Sequence, residues 1–167
     1  MANKDDVLAA LAPVLELLAT LDPSTGEATA RLEAAFPIGG PAMVALRALV
    51  REGVEARWLC EKENGGVRFG RLLKADARGF SIDVVHLSGP GAAHTHPRGE
   101  LDLCFGVSGK PRFDGRPEGW TVYGANTWHV PTVEGGVMDI LYFLPAGAMR
   151  FEPKPADAVA VGLQAPR

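Results

Sequence analysis

Two hydrophobic periods divide the chain. Over the first fifty residues, apolar side chains recur at steps of three and four: Val7, Leu8, Leu11, Val14, Leu15, Leu18 and Leu21. On a helix these positions form one stripe. Pro13 falls inside the stripe and predicts a kink or a delayed start. Asp22-Pro23 predicts the end, because proline disfavours helical conformation in the residue before it. Ser24-x-x-Glu27 reads as a capping box opening a second helix that runs to about Phe36. Gly39-Gly40-Pro41 breaks that helix and sets proline in the first turn of a third, over roughly residues 41 to 52. Met43, Val44, Leu46, Leu49 and Val50 form its apolar face. These helices are expected to cover a sheet or to form the contact of a homodimer.

From about residue 54 the period shortens to two. Strands are predicted at Val54–Leu59, Val67–Leu73, Phe80–Leu87, Leu101–Val107, Trp120–Tyr123 and Val137–Leu144. The stretches Asn64-Gly65-Gly66, Asp76–Gly79, Asp114-Gly115 and Glu134-Gly135-Gly136 read as the turns between them. Short strands at this spacing indicate an antiparallel sandwich or barrel. The expected layout is a helical segment over 1–53, a β-barrel over 54–152 and a C-terminal arm over 153–167.

Length and composition narrow the picture. One domain is expected from 167 residues, and 47% hydrophobic with 22% charged residues is the balance of a globular chain. A net charge of −3 and the lack of any basic run argue against a nucleic-acid partner. No apolar stretch approaches the ~18 residues of a membrane span. The N-terminus has no signal-peptide layout, so a cytoplasmic protein is expected. Cys60 and Cys104 are too few for a disulfide framework and read as free thiols.

The chemistry concentrates in Gly89-Pro-Gly-Ala-Ala-His94-Thr-His96-Pro-Arg-Gly-Glu100-Leu-Asp-Leu-Cys-Phe-Gly106. Three of the chain's four histidines, His94, His96 and His129, fall here and in one later segment. Imidazole with carboxylate suits a borderline divalent transition metal. On an extended backbone His94 and His96 share a face. If Glu100 points inward, Asp102 and Cys104 do too, while Leu101, Leu103 and Phe105 face the other way. A buried Asp102 is either a general base, an orienter of a ligand histidine or one half of a salt bridge. Cys104 and His86 read as packing residues. Tyr123, Trp128 and Tyr142 could wall a flat ring. Arg98, inside the turn, is the candidate for a substrate carboxylate, with Arg68, Arg71, Arg112 and Arg150 as competitors.

The spacing G-x4-H-x-H-x3-E-x5-G resembles the first motif of the cupin superfamily, shortened by one residue in two gaps. That resemblance implies a mainly β fold, a cupin-like antiparallel β-barrel (jelly roll) behind the helical segment, with His94, His96, Glu100 and His129 holding one metal. The second motif departs from the family: Gly124-Ala-Asn126-Thr-Trp-His129 lacks its proline, its glycine and the following asparagine. His129 is thus either the fourth ligand or a substrate contact. The wider text, His94 to Phe105, Gly119-Trp-Thr-Val-Tyr-Gly124, Trp128-His129-Val-Pro131 and Leu141-Tyr-Phe-Leu-Pro145, is similar to the 4-hydroxylaminobenzoate lyase family. The resemblance implies conversion of a small aromatic carboxylate, 4-hydroxylaminobenzoate, to 3,4-dihydroxybenzoate and ammonia. It implies no organic cofactor, and either a divalent Fe, Mn, Zn or Ni ion or, without metal, proton transfer by Glu100 and a histidine as acid and base. Glu100, His129 and Asp102 would be catalytic, with Arg98, Tyr123, Trp128 and Tyr142 binding substrate. The alternatives are a metal-dependent cupin dioxygenase and a cupin that binds a metabolite without turnover.

Overall fold

The computed structural model describes residues 1–75 and 79–158; the expected turn at Asp76–Gly79 lies mostly outside them. Helix α1 (Lys4–Leu18) opens at Asn3, whose side chain accepts the amides of Asp5 and Asp6 while Asp6 accepts the Asn3 amide. It neither starts late nor breaks at Pro13. Proline removes the bond to the carbonyl of Ala9, and both residues lie on the exposed side, where water replaces it.

Helix α2 (Glu27–Ala35) has no side-chain cap. The expected capping box at Ser24 is not formed, because its hydroxyl accepts the amide of Ala125 at 3.0 Å and ties the far end of the fold to this loop. Helix α3 (Pro41–Glu55) runs past its expected end. The strand expected at Val54–Leu59 is therefore absent: Leu46, Val50, Gly53 and Val54 keep helical spacing and are buried together. Arg68 donates to the Val54 carbonyl at 2.6 Å and satisfies the helix end.

Among the described residues nine strands follow: β1 (Lys62–Asn64), β2 (Val67–Leu73), β3 (Phe80–Pro90), β4 (His94–His96), β5 (Glu100–Phe113), β6 (Gly119–Tyr123), β7 (Thr127–His129), β8 (Thr132–Pro145) and β9 (Arg150–Phe151). They form a six-stranded sheet, β1-β2-β3-β8-β5-β6, and a three-stranded sheet, β7-β4-β9, with every pairing antiparallel. The fold is mainly β, with the small sheet laid over one face of the large one.

That large sheet has two distinct faces. Leu101, Leu103 and Phe105 of β5, with Ile82, Val84, Leu141 and Phe143, pack under Leu11, Leu18, Leu46 and Val50 of the helices. The opposite, inner face carries Cys104, Tyr123, Met138, Ile140 and Tyr142. The expected alternation along β5 thus holds. Asp139 faces the helices, where Arg51 of α3 reaches it at 2.7 Å and His86 at 2.6 Å. His86 is hydrogen-bonded packing, as read from its neighbours.

Glu134-Gly135-Gly136 is not a turn. It lies within β8, paired across an irregular register with Gly109 and Arg112 of β5. A Cβ on Gly136 would collide with the Ser108 carbonyl, and one on Gly109 with the Gly135 carbonyl. Glycine is used there for close backbone approach where the two long strands bend. Among the described residues no helix is long and apolar enough to cross a membrane.

Candidate metal centre

Strand alternation turns His94 and His96 of β4 to one face. Pairing in the small sheet sets His129 of β7 directly opposite His94. Glu100 opens β5 after a tight turn in which the Gly99 amide donates to the His96 carbonyl at 3.2 Å. Gly99 has φ of 86° and lies against Pro23 and the Tyr123 carbonyl, so no side chain fits there. One ligand atom from each of His94, His96, Glu100 and His129 falls within 4.8 Å of all the others, and all four residues are buried.

The separations fit a common ion. Nε2 of His129 stands 3.0 Å from Nε2 of His94. Oε2 of Glu100 is 3.2 Å from Nε2 of His96 and 3.8 Å from Nε2 of His94. Neighbouring ligands each about 2.1 Å from one metal have such spacings. The other nitrogen of every ring is already engaged. Nδ1 of His94 donates to the Ala92 carbonyl at 2.9 Å. Nδ1 of His96 meets the Thr127 hydroxyl at 2.9 Å, and since that hydroxyl donates to the Gly124 carbonyl, His96 is the donor. Nδ1 of His129 meets the Asp114 carboxylate at 2.6 Å.

With each Nδ1 committed to these partners, the three Nε2 atoms are left to converge on one point. Nε2 of His96 and both oxygens of Glu100 are buried without a partner. A buried cluster of acceptors with no donor is costly, and a divalent cation resolves it. The residues present therefore fit a metal.

Electrostatics agree. Burial lowers the pKa of His94 to about 4, so its ring is neutral at neutral pH. Burial opposes ionisation of Glu100, but the imidazoles of His96 and His94 outweigh it and hold the carboxyl at about 2. Asp102 is pushed the other way, first by burial and then by the charge of Glu100.

The structure gathers Tyr123 with the cluster: its ring lies 4.5 Å from His129 and 5.2 Å from His96. Asp102 and Tyr142 are cross-strand neighbours on the same inner face, with Asp102 also opposite Thr121. The Asp102 oxygens and the hydroxyls of Tyr142 and Thr121 are buried without partners and share the inner face of the large sheet.

Two expected substrate contacts are not gathered there. Trp128 alternates with His129, faces the other side of the small sheet, and donates its indole N–H to the Glu152 carbonyl at 3.0 Å. Arg98 is exposed in the turn between β4 and β5.

Asp114 was not legible in the sequence as a site residue. It sits at φ of 47° in the turn after β5, where a short polar side chain is tolerated. One of its oxygens accepts from His129 and from the Tyr123 hydroxyl, and the other accepts the Thr132 amide at 2.8 Å. Burial, then the charge of Asp114, raises the Tyr123 pKa and keeps the phenol protonated.

Residues 11–151 match the family model described as PnbB, 4-hydroxylaminobenzoate lyase. The chain belongs to this family. A 4-hydroxylaminobenzoate lyase of Nocardioides sp. (strain LMS-CY) is 31% identical over 120 residues, which cover 64% of this chain and 70% of that one. A second, from Pseudomonas putida, is 25% identical over 124 residues, covering 62% and 70%. Among solved structures, an RmlC-like cupin protein from Ralstonia eutropha is similar with a TM-score of 0.42 and 17% identity, over 58% of this chain and 66% of that one. The four-residue cluster lies wholly inside the stretch that matches the lyase family.

Proposed function

We propose that this protein is a 4-hydroxylaminobenzoate lyase acting through the buried three-histidine, one-glutamate centre. The observation that carries the reading is the coincidence of the family match with a complete, donor-less ligand cluster inside the matched region. The overall reaction consumes one water: 4-hydroxylaminobenzoate and water give 3,4-dihydroxybenzoate and ammonia. The N–O bond is itself the oxidant. It breaks with loss of its oxygen as water, the electron-poor ring takes up water at C3, and hydrolysis at C4 releases ammonia.

A divalent metal held by His94, His96, Glu100 and His129 would supply Lewis acidity towards the substrate oxygen. The chain's own groups do the rest. Glu100, ionised and without a hydrogen-bond donor, is assigned the proton transfers. Asp102 is its neighbour on the same face and sets its electrostatic surroundings. His129 is held by Asp114 and lies opposite His94, which supports its assignment as fourth ligand. Tyr123, kept protonated, offers a phenol beside the ligands, and Tyr142 a second hydroxyl further in.

The carboxylate end of the substrate calls for an arginine. Arg68 is spent on the helix end, Arg112 on the Gly115 carbonyl and Arg150 on Glu152. Arg71 is opposite Asp83 and so shares the inner face, paired with that carboxylate at 2.7 Å. Its side chain is about half exposed, so it can exchange Asp83 for the substrate carboxylate, and Arg71 joins Arg98 as a candidate for that contact.

The test is direct. Purified protein incubated with 4-hydroxylaminobenzoate should release ammonia and 3,4-dihydroxybenzoate without consuming oxygen, and a chelator should abolish the reaction. Oxygen uptake in step with turnover would indicate a dioxygenase instead. Absence of ammonia under every metal condition would overturn the reading.

A further inference from the structure

Strand register in the small sheet puts three rings in one row. His129 is opposite His94, and His94 is opposite Phe151. Directly opposed residues in antiparallel strands project to the same face. Phe151 therefore points to the side of the metal ligands, while Trp128, Thr95 and Arg150 make the corresponding row on the other side. Its ring lies 5.8 Å from that of His94, edge to face at 74°.

Yet the two residues differ sharply in access: His94 is 2% exposed and Phe151 is 70% exposed. The reason is topological. β9 is an edge of the three-stranded sheet, and no strand among the described residues pairs beyond it. The segment leading into β9 passes Ala75 and Ser81, at the β2–β3 side of the large sheet. On that side the inner face is incompletely covered, and Phe69 and Arg71 of β2 are open to solvent. An exposed aromatic ring that touches a buried ligand imidazole, at the open edge of the site, is a rim residue.

Its position is also fixed. The Trp128 indole holds the carbonyl of Glu152, the residue after Phe151, and Arg150 pairs with Glu152 at 3.3 Å on the outer side. The backbone is held from outside while the ring is presented inward.

We infer that Phe151 is a specificity-determining residue that packs its ring against the aromatic ring of the substrate as the N–O end reaches the metal ligands. This rests on the lyase reading for the identity of the substrate. A flat aromatic ring is the partner that such a ring favours, in offset or edge-to-face geometry. The Phe151 ring carries no group that can transfer a proton or bind the reacting nitrogen, so it acts on binding and not on the bond-breaking step.

Steady-state kinetics of the metal-loaded protein with 4-hydroxylaminobenzoate test this, together with equilibrium binding of 4-aminobenzoate, which lacks the N–O bond. Phe151→Ala is expected to raise KM and the 4-aminobenzoate Kd roughly 5- to 20-fold, with kcat within about twofold of wild type. Its metal content should be unchanged. Phe151→Tyr should behave as wild type and Phe151→Leu should fall near Phe151→Ala. Unchanged KM and Kd in Phe151→Ala would overturn the inference while leaving the lyase reading intact. Wild-type behaviour of Phe151→Leu would show apolar cover without ring recognition and would also overturn it, as would loss of metal in Phe151→Ala. Failure of the wild type to release ammonia is a failure of the lyase reading, and 4-aminobenzoate binding then decides the role of Phe151 separately.

Discussion

The carboxylate of Asp114 lies 2.6 Å from Nδ1 of His129, and the same oxygen accepts the Tyr123 hydroxyl. One residue outside the ligand set thus fixes the tautomer of a ligand and the orientation of the nearest phenol. Asp114→Asn keeps the shape but removes the charge. It is expected to weaken metal affinity by about 10- to 100-fold, the usual cost of losing an outer-shell partner of a ligand histidine. Competition with a calibrated chelator measures this directly.

Metal content follows from the ligand cluster. Elemental analysis of protein grown in metal-rich medium should find about one transition-metal ion per chain. His94→Ala/His96→Ala removes two of the three imidazoles and should abolish both metal and activity. Retention of either would mean that the ion or the chemistry lies elsewhere.

Glu100→Gln separates proton transfer from shape. The amide is nearly isosteric but does not titrate, and turnover should drop by roughly 10²- to 10⁴-fold. Metal content and 4-aminobenzoate binding are measured on the same sample. Full activity with metal retained would remove Glu100 from the proton transfers.

Alkaline stability should carry a signature of Cys60. Burial, with the nearby charge of Asp139, pushes this thiol up to about 12 from 9.0. Between those values the unfolded chain releases a proton that the folded chain keeps. Stability is therefore fully present below pH 9 and lost as pH rises towards 12, by about 1.4 kcal/mol per pH unit. Cys104, Tyr123 and Tyr142 are shifted upward too and act in the same direction. The difference in urea denaturation between wild type and Cys60→Ala, followed from pH 8 to 11, isolates the one group: the mutant should show the shallower decline.

Much of this architecture was written in local patterns. The strand Val67–Leu73 matches its predicted bounds, and the parity of β5 follows from two-residue alternation alone. The shared face of His94 and His96 was readable from alternation, and the place of Glu100 beside them from the resemblance to the cupin motif. The misreadings share a cause: tertiary contact overrode a local signal. Ser24 has the form of a helix cap but serves the Ala125 amide, which is distant in sequence. Gly135-Gly136 has the form of a turn, but its glycines let two strands touch. The three short strands of the small sheet are too brief for a period to register. Asp114 is remote from the ligands in sequence and carries no motif. Trp128 is a different case, since the same alternation that turns His129 inward turns its neighbour outward.

The small sheet also dictates an order of events. β4, which carries two of the ligands, is bordered on both sides by strands that lie later in the chain, β7 and β9. During synthesis the ribosome delivers His94 and His96 before either border exists. For that interval the nascent chain offers two imidazoles and the Glu100 carboxylate without their fourth partner, a set whose preference among metals follows intrinsic affinity and not finished site geometry. His129 arrives next, and Phe151 closes the row last. Discrimination among metals by the finished coordination geometry therefore begins only once β7 has docked and His129 completes the four ligands, while the aromatic rim at Phe151 closes later still.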